Sequence, residues 1–299
     1  MSTDTPTIAV IGPGAIGTAL AARLASGAGR EVVVAVRTPF RELELHDGES
    51  VVRAEASVIT DPAEGAPVDW VLVTTKAYDA EGAARWLPGL MGERTRVAIV
   101  QNGVEHVERF ERFVDRDRLL PVMIDLPAER IGPGVVRQRG PGVLTVPDSP
   151  AGVAFVEAFD GCGLDVRTTD DMRSALWHKL CVNSVGALNA VTLAPPRIAQ
   201  DDAVADLMRE IIRETVAVGR AEGAVLPDDL ADEVVAAYRA GPGDGINSLH
   251  ADRLAGRPME IDARNGAIVR AGARHGVPTP LNAMLVALLG AIERYGATS

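Results

Sequence analysis

A run of apolar residues, Thr7-Ile8-Ala9-Val10-Ile11, leads directly into Gly12-Pro13-Gly14-Ala15-Ile16-Gly17 and then into an Ala/Leu-rich stretch reaching about Ala25. No other feature narrows the fold so far, because a buried strand that becomes a helix within six residues needs glycine at set places. In a G-x-G-x-x-G turn the first glycine makes the tight bend and the second lets a pyrophosphate approach the backbone. The third lets the helix pack closely on the strand. The helix start then offers N–H groups and the positive end of its dipole to phosphate. The same loop can serve as a plain β–α turn. Its setting between strand and helix favours a dinucleotide site built by Gly12, Pro13, Gly14, Ala15, Ile16 and Gly17.

Later segments repeat the alternation. Glu31-Val32-Val33-Val34-Ala35-Val36, Trp70-Val71-Leu72-Val73-Thr74 and Arg96-Val97-Ala98-Ile99-Val100 are short apolar runs. Because they are continuous rather than alternating, they imply strands covered on both faces, as in a parallel α/β sheet. The stretch from Leu119 to Val146, rich in Gly, Pro and β-branched residues, reads as a mixed extension of that sheet. An NAD site places Asp or Glu about 20 residues past the loop, where this chain has Arg37-Thr38. A guanidinium there pairs with a 2′-phosphate, which points to NADP(H); the alternative is a solvated Arg at a strand end.

From about Asp170 the texture becomes helical, over roughly 171–192, 201–223, 228–240, 246–255, 258–275 and 280–295. Pro195-Pro196, Gly241-Pro242-Gly243 and Gly276-Val277-Pro278 punctuate these segments. The expected fold is an α/β Rossmann-type dinucleotide-binding domain over 1–169 joined to an all-α domain over 170–299. A cleft between them is the expected ligand site, and the helical domain is expected to carry substrate contacts and a homodimer interface, the dimer by fold analogy alone.

A formal net charge of −11 argues against nucleic-acid and anionic-membrane partners, which want a basic face. It leaves room for a small anionic substrate in a local cationic pocket. Cys162 and Cys181 form no C-x-x-C, so a reducing compartment is expected. The first six residues lack a basic leader, and no apolar run approaches the ~20 residues that cross a bilayer; the reading is cytoplasmic. The five His show no metal-ligand spacing, so no metal site is expected. No G-x-S-x-G elbow supports hydrolase chemistry.

Only two lysines occur, Lys76 and Lys179, against 28 arginines. Arg holds its proton near neutral pH, whereas Lys is the cation whose pKa burial readily lowers. Lys76 follows Val71-to-Thr75 at the carboxyl end of a strand, the edge where open parallel sheets bind ligands. Asn102-Gly103 follows the Arg96-to-Val100 strand in the same way, or is a simple turn. Lys179 lies in Leu176-Trp177-His178-Lys179-Leu180-Cys181-Val182-Asn183, and Asn183, four residues on, shares its helix face. An ammonium among apolar neighbours suits protonation of an oxygen as hydride reaches the adjacent carbon; the alternative is a snorkelling Lys with an exposed head.

Along nearly its whole length the chain resembles the ketopantoate reductase (2-dehydropantoate 2-reductase) family. The resemblance rests on Gly12-to-Gly17, Lys76, Gln101-Asn102-Gly103, Trp177-His178-Lys179-Leu180 with Asn183, Ser248 with Asp252, Glu260-Ile261-Asp262 and Asn265-Gly266. It implies an NADPH cofactor and hydride transfer to the C2 ketone of a 2-oxo acid. Lys179 then resembles the general acid, and Asn183 and Ser248 resemble substrate-holding groups. Glu260 resembles the acidic residue near the substrate hydroxyl and the nicotinamide, although a Glu just after Pro258 also suits a helix dipole. Asn102 and Lys76 resemble residues beside the cofactor and the carboxylate.

Three departures concern the substrate side. Ala187 stands where the family often has a second Asn, and Asn189, two residues further, falls on another face of a continuous helix. The Ser-Met pair of the family is Ser248-Leu249 here. Met123-to-Arg130 lacks the small and polar residues the family places near the nicotinamide. A reductase of another ketone, aldehyde or imine on the same scaffold is therefore the second reading, and a dinucleotide-binding sensor without turnover the third.

Overall fold

The computed structural model describes residues 6–27, 30–55 and 57–296; residues 1–5, read above for a leader, lie outside them. The chain divides into two compact units, Met1–Asn102 with His106–Met172, and Gly103–Glu105 with Arg173–Ser299.

Among the described residues the first unit has thirteen strands: β1 (Ile8–Ile11), β2 (Val32–Ala35), β3 (Leu43–Asp47), β4 (Ser50–Ala54), β5 (Ser57–Ile59), β6 (Val68–Val73), β7 (Met91–Ile99), β8 (Leu119–Pro121), β9 (Met123–Asp125), β10 (Ala128–Gly132), β11 (Val135–Gln138), β12 (Val143–Pro147) and β13 (Asp165–Thr169). Its helices are α1 (Ala15–Ser26), α2 (Ala80–Ala84), α3 (Leu87–Leu90), α4 (His106–Phe110) and α5 (Pro150–Ala158). The main sheet is parallel throughout, in the order β5-β2-β1-β6-β7-β8. Successive β1 residues enter opposite cores. Ile8 and Val10 pack with Leu20, Val34 and Phe155, and Ala9 and Ile11 with Val71, Ile99 and Phe110. Covering both faces with apolar side chains is what the unbroken runs predict.

The stretch after Leu119 departs from expectation. Only β8 joins the parallel sheet; the rest builds two separate mixed sheets, β10-β11-β3-β4 and β13-β12-β9. Arg23 on α1, 8% exposed, ties the four-stranded sheet down through Gln138 Oε1 at 2.8 Å and Asp47 at 2.7 Å.

The second unit is helical: α6 (Met172–Ser184), α7 (Gly186–Thr192), α8 (Asp202–Ala221), α9 (Leu230–Ala240), α10 (Ser248–Leu254), α11 (Ala267–His275) and α12 (Pro280–Tyr295). Two sequence-expected helices are interrupted. The 171–192 segment breaks at Val185, and 258–275 begins as a π-helical turn over Asp262–Gly266. Asn265 in that turn is fully buried and donates to Ser184 O at 3.0 Å and Asn282 Oδ1 at 2.9 Å, so this motif residue is a structural tie. Gly103–Glu105 belongs to this unit although the first unit flanks it on both sides. Val104 packs on the helical core, Glu105 receives Arg270 at 2.7 Å, and at Gly103 (φ +99°) a Cβ would sit 2.4 Å from Ala263 O.

No helix among the described residues is long and apolar enough to cross a membrane.

Candidate active site

The strand order reverses direction beside β1, where the chain runs first to β2 and β5 and then returns to β6. Carboxyl ends at such a switch point bind ligands. In this unit they carry the Gly12–Gly17 loop after β1, Arg37 after β2, Thr74-Thr75-Lys76 after β6 and Gln101-Asn102 after β7.

The three loop glycines divide their work as the motif predicts. Gly12 holds φ +80°, and a Cβ there would meet Thr75 Cγ2 at 2.4 Å. At Gly17 a Cβ would lie 2.2 Å from Thr74 Oγ1, so α1 rests directly on the end of β6. At Gly14 a Cβ would meet nothing within 4 Å. The backbone is thus open at the second glycine alone, where a phosphate must come close. Thr74 locks the turn by donating to Ile11 O and Gly12 O at 2.9 Å each. The start of α1 has no side-chain cap and no acidic residue in its first turn. Its leading N–H groups therefore lack intrahelical acceptors, and no acidic side chain of that first turn competes for them. These residues fit the pyrophosphate of a dinucleotide.

Arg37 is 87% exposed and lies 3.8 Å from Asp79, a long contact that leaves its fork open to another anion. Gln101 fastens the neighbouring strand tips. Its amide donates to Thr75 O at 3.0 Å and Thr75 Oγ1 at 3.1 Å, and its Oε1 accepts from Arg109 at 3.1 Å. The Gln101 carbonyl meets His106 Nε2 at 2.8 Å. His106 is wholly buried, and desolvation pushes its pKa down to about 4, against the smaller opposing effect of the Gln101 carbonyl. A neutral imidazole thus holds the backbone just before Asn102. Lys76 and Asn102 are half-buried at these tips.

In the second unit Lys179 and Asn183 stand one turn apart on α6, both half-buried, while His178 is exposed. Ala187 is fully buried on α7, and Asn189 is spent structurally, donating to Ala194 O at 2.9 Å and accepting from Asn247 at 3.1 Å. Asn247 also caps α10 by accepting from His250 N at 3.0 Å, placing exposed Ser248 at the head of that helix. Glu260 is 5% exposed and precedes the π turn, so it is a buried carboxylate and not a first-turn helix residue.

The residue that sequence reading missed is Arg264. It is 4% exposed, and its Nη2 donates to Ser248 Oγ at 2.7 Å. A signal was present: positions 264, 268 and 271 share one helix face, and Ile268 and Ala271 are core residues. A lone charge in that register calls for a partner or a purpose.

Residues 8–151 match the family model described as ketopantoate reductase PanE/ApbA, and residues 171–293 match its C-terminal counterpart. A 2-dehydropantoate 2-reductase of Caulobacter vibrioides is 52% identical over 284 residues, covering 95% of this chain and 98% of its own. One from Mycobacterium tuberculosis is 41% identical over 286 residues, covering 95% and 97%. The crystal structure of a PanE/ApbA family ketopantoate reductase from Ralstonia eutropha JMP134 superposes with a TM-score of 0.88 at 32% identity, covering 96% of this chain and 98% of that one.

Proposed function

The chain belongs to the ketopantoate reductase family and is an oxidoreductase acting on a keto group; from that premise we propose that it reduces 2-dehydropantoate to pantoate with NADPH. The observation that carries the reading is Lys179, one of only two lysines, half-buried on α6 a single turn from Asn183.

The first unit binds the cofactor. The Gly12–Gly17 loop takes the pyrophosphate, open at Gly14, and Arg37 pairs with the 2′-phosphate. Gln101 and His106 hold Lys76 and Asn102 in place toward the nicotinamide end. When bound, the reduced nicotinamide supplies hydride to the C2 carbon of the substrate. Lys179 Nζ gives its proton to the C2 oxygen, which completes the 2-hydroxy acid, and solvent reprotonates the amine. Asn183 and Ser248 hold the substrate by hydrogen bonds, and buried Glu260 accepts from its hydroxyl. A homodimer is the assembly that goes with this reading. Met284 and Leu288, both over 40% exposed on α12, support it, and sedimentation velocity tests it.

The sequence departure at Ala187, which stands where the family often carries an Asn, favours one second reading, a different carbonyl substrate on the same machinery. The deciding experiment follows NADPH oxidation with 2-dehydropantoate beside other 2-oxo acids, aldehydes and imines, each repeated with NADH. Efficient turnover of 2-dehydropantoate with NADPH is the expected result. Turnover of another carbonyl alone moves the assignment to the second reading, and tight NADPH binding without turnover of any would refute both.

A further inference from the structure

Arg264 has a chemical problem that its surroundings do not solve. The guanidinium has five N–H donors and no acceptor. Three of them, on Nε and Nη1, are buried without a hydrogen-bond partner. Nη2 reaches Ser248 Oγ at 2.7 Å. Arg270, on the following helix, shows the ordinary solution, with Glu105 and Asp262 both bonded to its fork. Buried carboxylates at Glu260 and Asp252 lie in the neighbourhood of Arg264, with the Tyr238 hydroxyl, and Asp252 is also bonded to Arg257 at 3.0 Å. Burial still dominates at Arg264, pulling its pKa below the usual guanidinium value despite the contrary pull of those three groups. The charge is under-compensated, and it sits in a π-helical turn, a distortion frequent at functional positions.

The outlet for that charge is Ser248. Its Oγ accepts from Arg264, so its own proton is directed away from the guanidinium, and the residue is exposed. A carboxylate that accepts from this hydroxyl lies about 5 Å in front of the cation. At an effective dielectric near 20, that attraction changes an equilibrium by about a hundredfold or more.

We propose that Arg264 is the charge that selects the carboxylate of the substrate, acting through the Ser248 hydroxyl, so that the second unit takes a 2-oxo acid anion over an uncharged ketone of the same shape. The assignment rests on the reading of Ser248 as a substrate-holding group. It supplies a local cation inside an envelope of net charge −11. Arg264 is a positioning residue: it orients one proton and projects one charge, and Lys76 is then not the sole cation available to the carboxylate.

The test compares an anion with its neutral twin. Pantoate and pantolactone, in which the 4-hydroxyl has closed on the carboxyl group, are titrated calorimetrically in the presence of NADP⁺ into wild type, Arg264→Met, Arg264→Lys, Ser248→Ala and the Met/Ala double variant. Wild type should prefer pantoate, and Arg264→Met should reduce that preference about a hundredfold. Arg264→Lys, which keeps the charge without the fork, should retain it within about tenfold. In the double variant the losses should be far from additive, because one residue works through the other. Arg264→Met removes a buried cation beside the carboxylates of Glu260 and Asp252 and should melt below wild type; a purely structural loss weakens acid and lactone alike, so the acid-to-lactone ratio is the readout that decides. Equal loss for acid and lactone, or no preference in wild type, overturns the proposal. Turnover is read separately: wild type that prefers pantoate but does not reduce 2-dehydropantoate refutes the reductase reading and leaves the anion selection standing.

Discussion

Gly14→Ala and Gly17→Ala differ by the same methyl group three residues apart, and the two variants should fail in different ways. At Gly17 the new Cβ meets Thr74 Oγ1 at 2.2 Å and Gly12 O at 2.9 Å. Ordinary contact needs well over 1 Å more, and Thr74 cannot swing aside without losing its bonds to Ile11 O and Gly12 O. Overpacking of this kind costs about 1–3 kcal/mol, and the lost hydrogen bonding about 1 more. For a unit of this size the melting temperature of the apoprotein should fall by roughly 4–16 °C. At Gly14 φ is −72° and a Cβ meets nothing. Stability should stay within about 0.5 kcal/mol of wild type or rise slightly, because alanine narrows the unfolded ensemble. The methyl then stands where the phosphate must approach the backbone. Losing one charge-assisted bond, about 1.5–3 kcal/mol, should weaken NADPH binding roughly 10–100-fold. Thermal unfolding without cofactor and a fluorescence titration with NADPH read the two effects separately. If Gly14→Ala melts as low as Gly17→Ala, or binds NADPH like wild type, the division of labour among the glycines is wrong.

Three further outcomes are expected. Lys179→Ala should lower kcat by about 10²–10⁴-fold while NADPH affinity stays near wild type; near-normal turnover removes the proton-donor role. Arg37→Ala should reduce the preference for NADPH over NADH by about tenfold, with an effect that shrinks at high salt because the residue is exposed; an unchanged preference assigns Arg37 to solvent. His106 stays neutral in the fold down to about pH 4 but charges near 6.5 when unfolded. Its contribution is therefore complete above pH 6.5 and is lost as pH falls toward 4, by up to about 3 kcal/mol. His106→Gln, which keeps a donor for the Gln101 carbonyl, should flatten that part of the stability–pH curve; an unaltered slope would mean the imidazole is not buried neutral.

Much of this architecture is legible in local pattern. The unbroken apolar runs announce a sheet covered on both faces, and the glycine spacing announces the turn from β1 into α1, because both are settled by residues adjacent in sequence. Pairing between distant strands is not settled locally. β11 runs parallel to β3 across some ninety residues of chain, and nothing in either strand names its partner, so two separate sheets read as one extension. The helix interruptions were hidden for a related reason: Val185 and the π turn at Asp262–Gly266 are imposed by buried polar ties such as Asn265 to Ser184 and Asn282. Periodicity alone reads straight through them. On the site side, Lys179 and Arg37 stand out by residue type and position. Arg264 was obscured because one arginine among 28 attracts no notice until its burial is known.

The small excursion at Gly103–Glu105 bears on how such genes can be recombined. A single crossover near residue 172 looks like a clean exchange of the helical half, yet it leaves these three residues with the other parent. The chimera would then set a foreign Val104 on the inherited helical core, a foreign residue 105 against Arg270, and any residue larger than glycine at 103 against the Ala263 carbonyl. Viable hybrids with divergent relatives should therefore favour two-point exchanges that carry the triplet along. In lineages that tolerate single crossovers, residues 103–105 should change in step with 263 and 270 rather than with their neighbours in the chain.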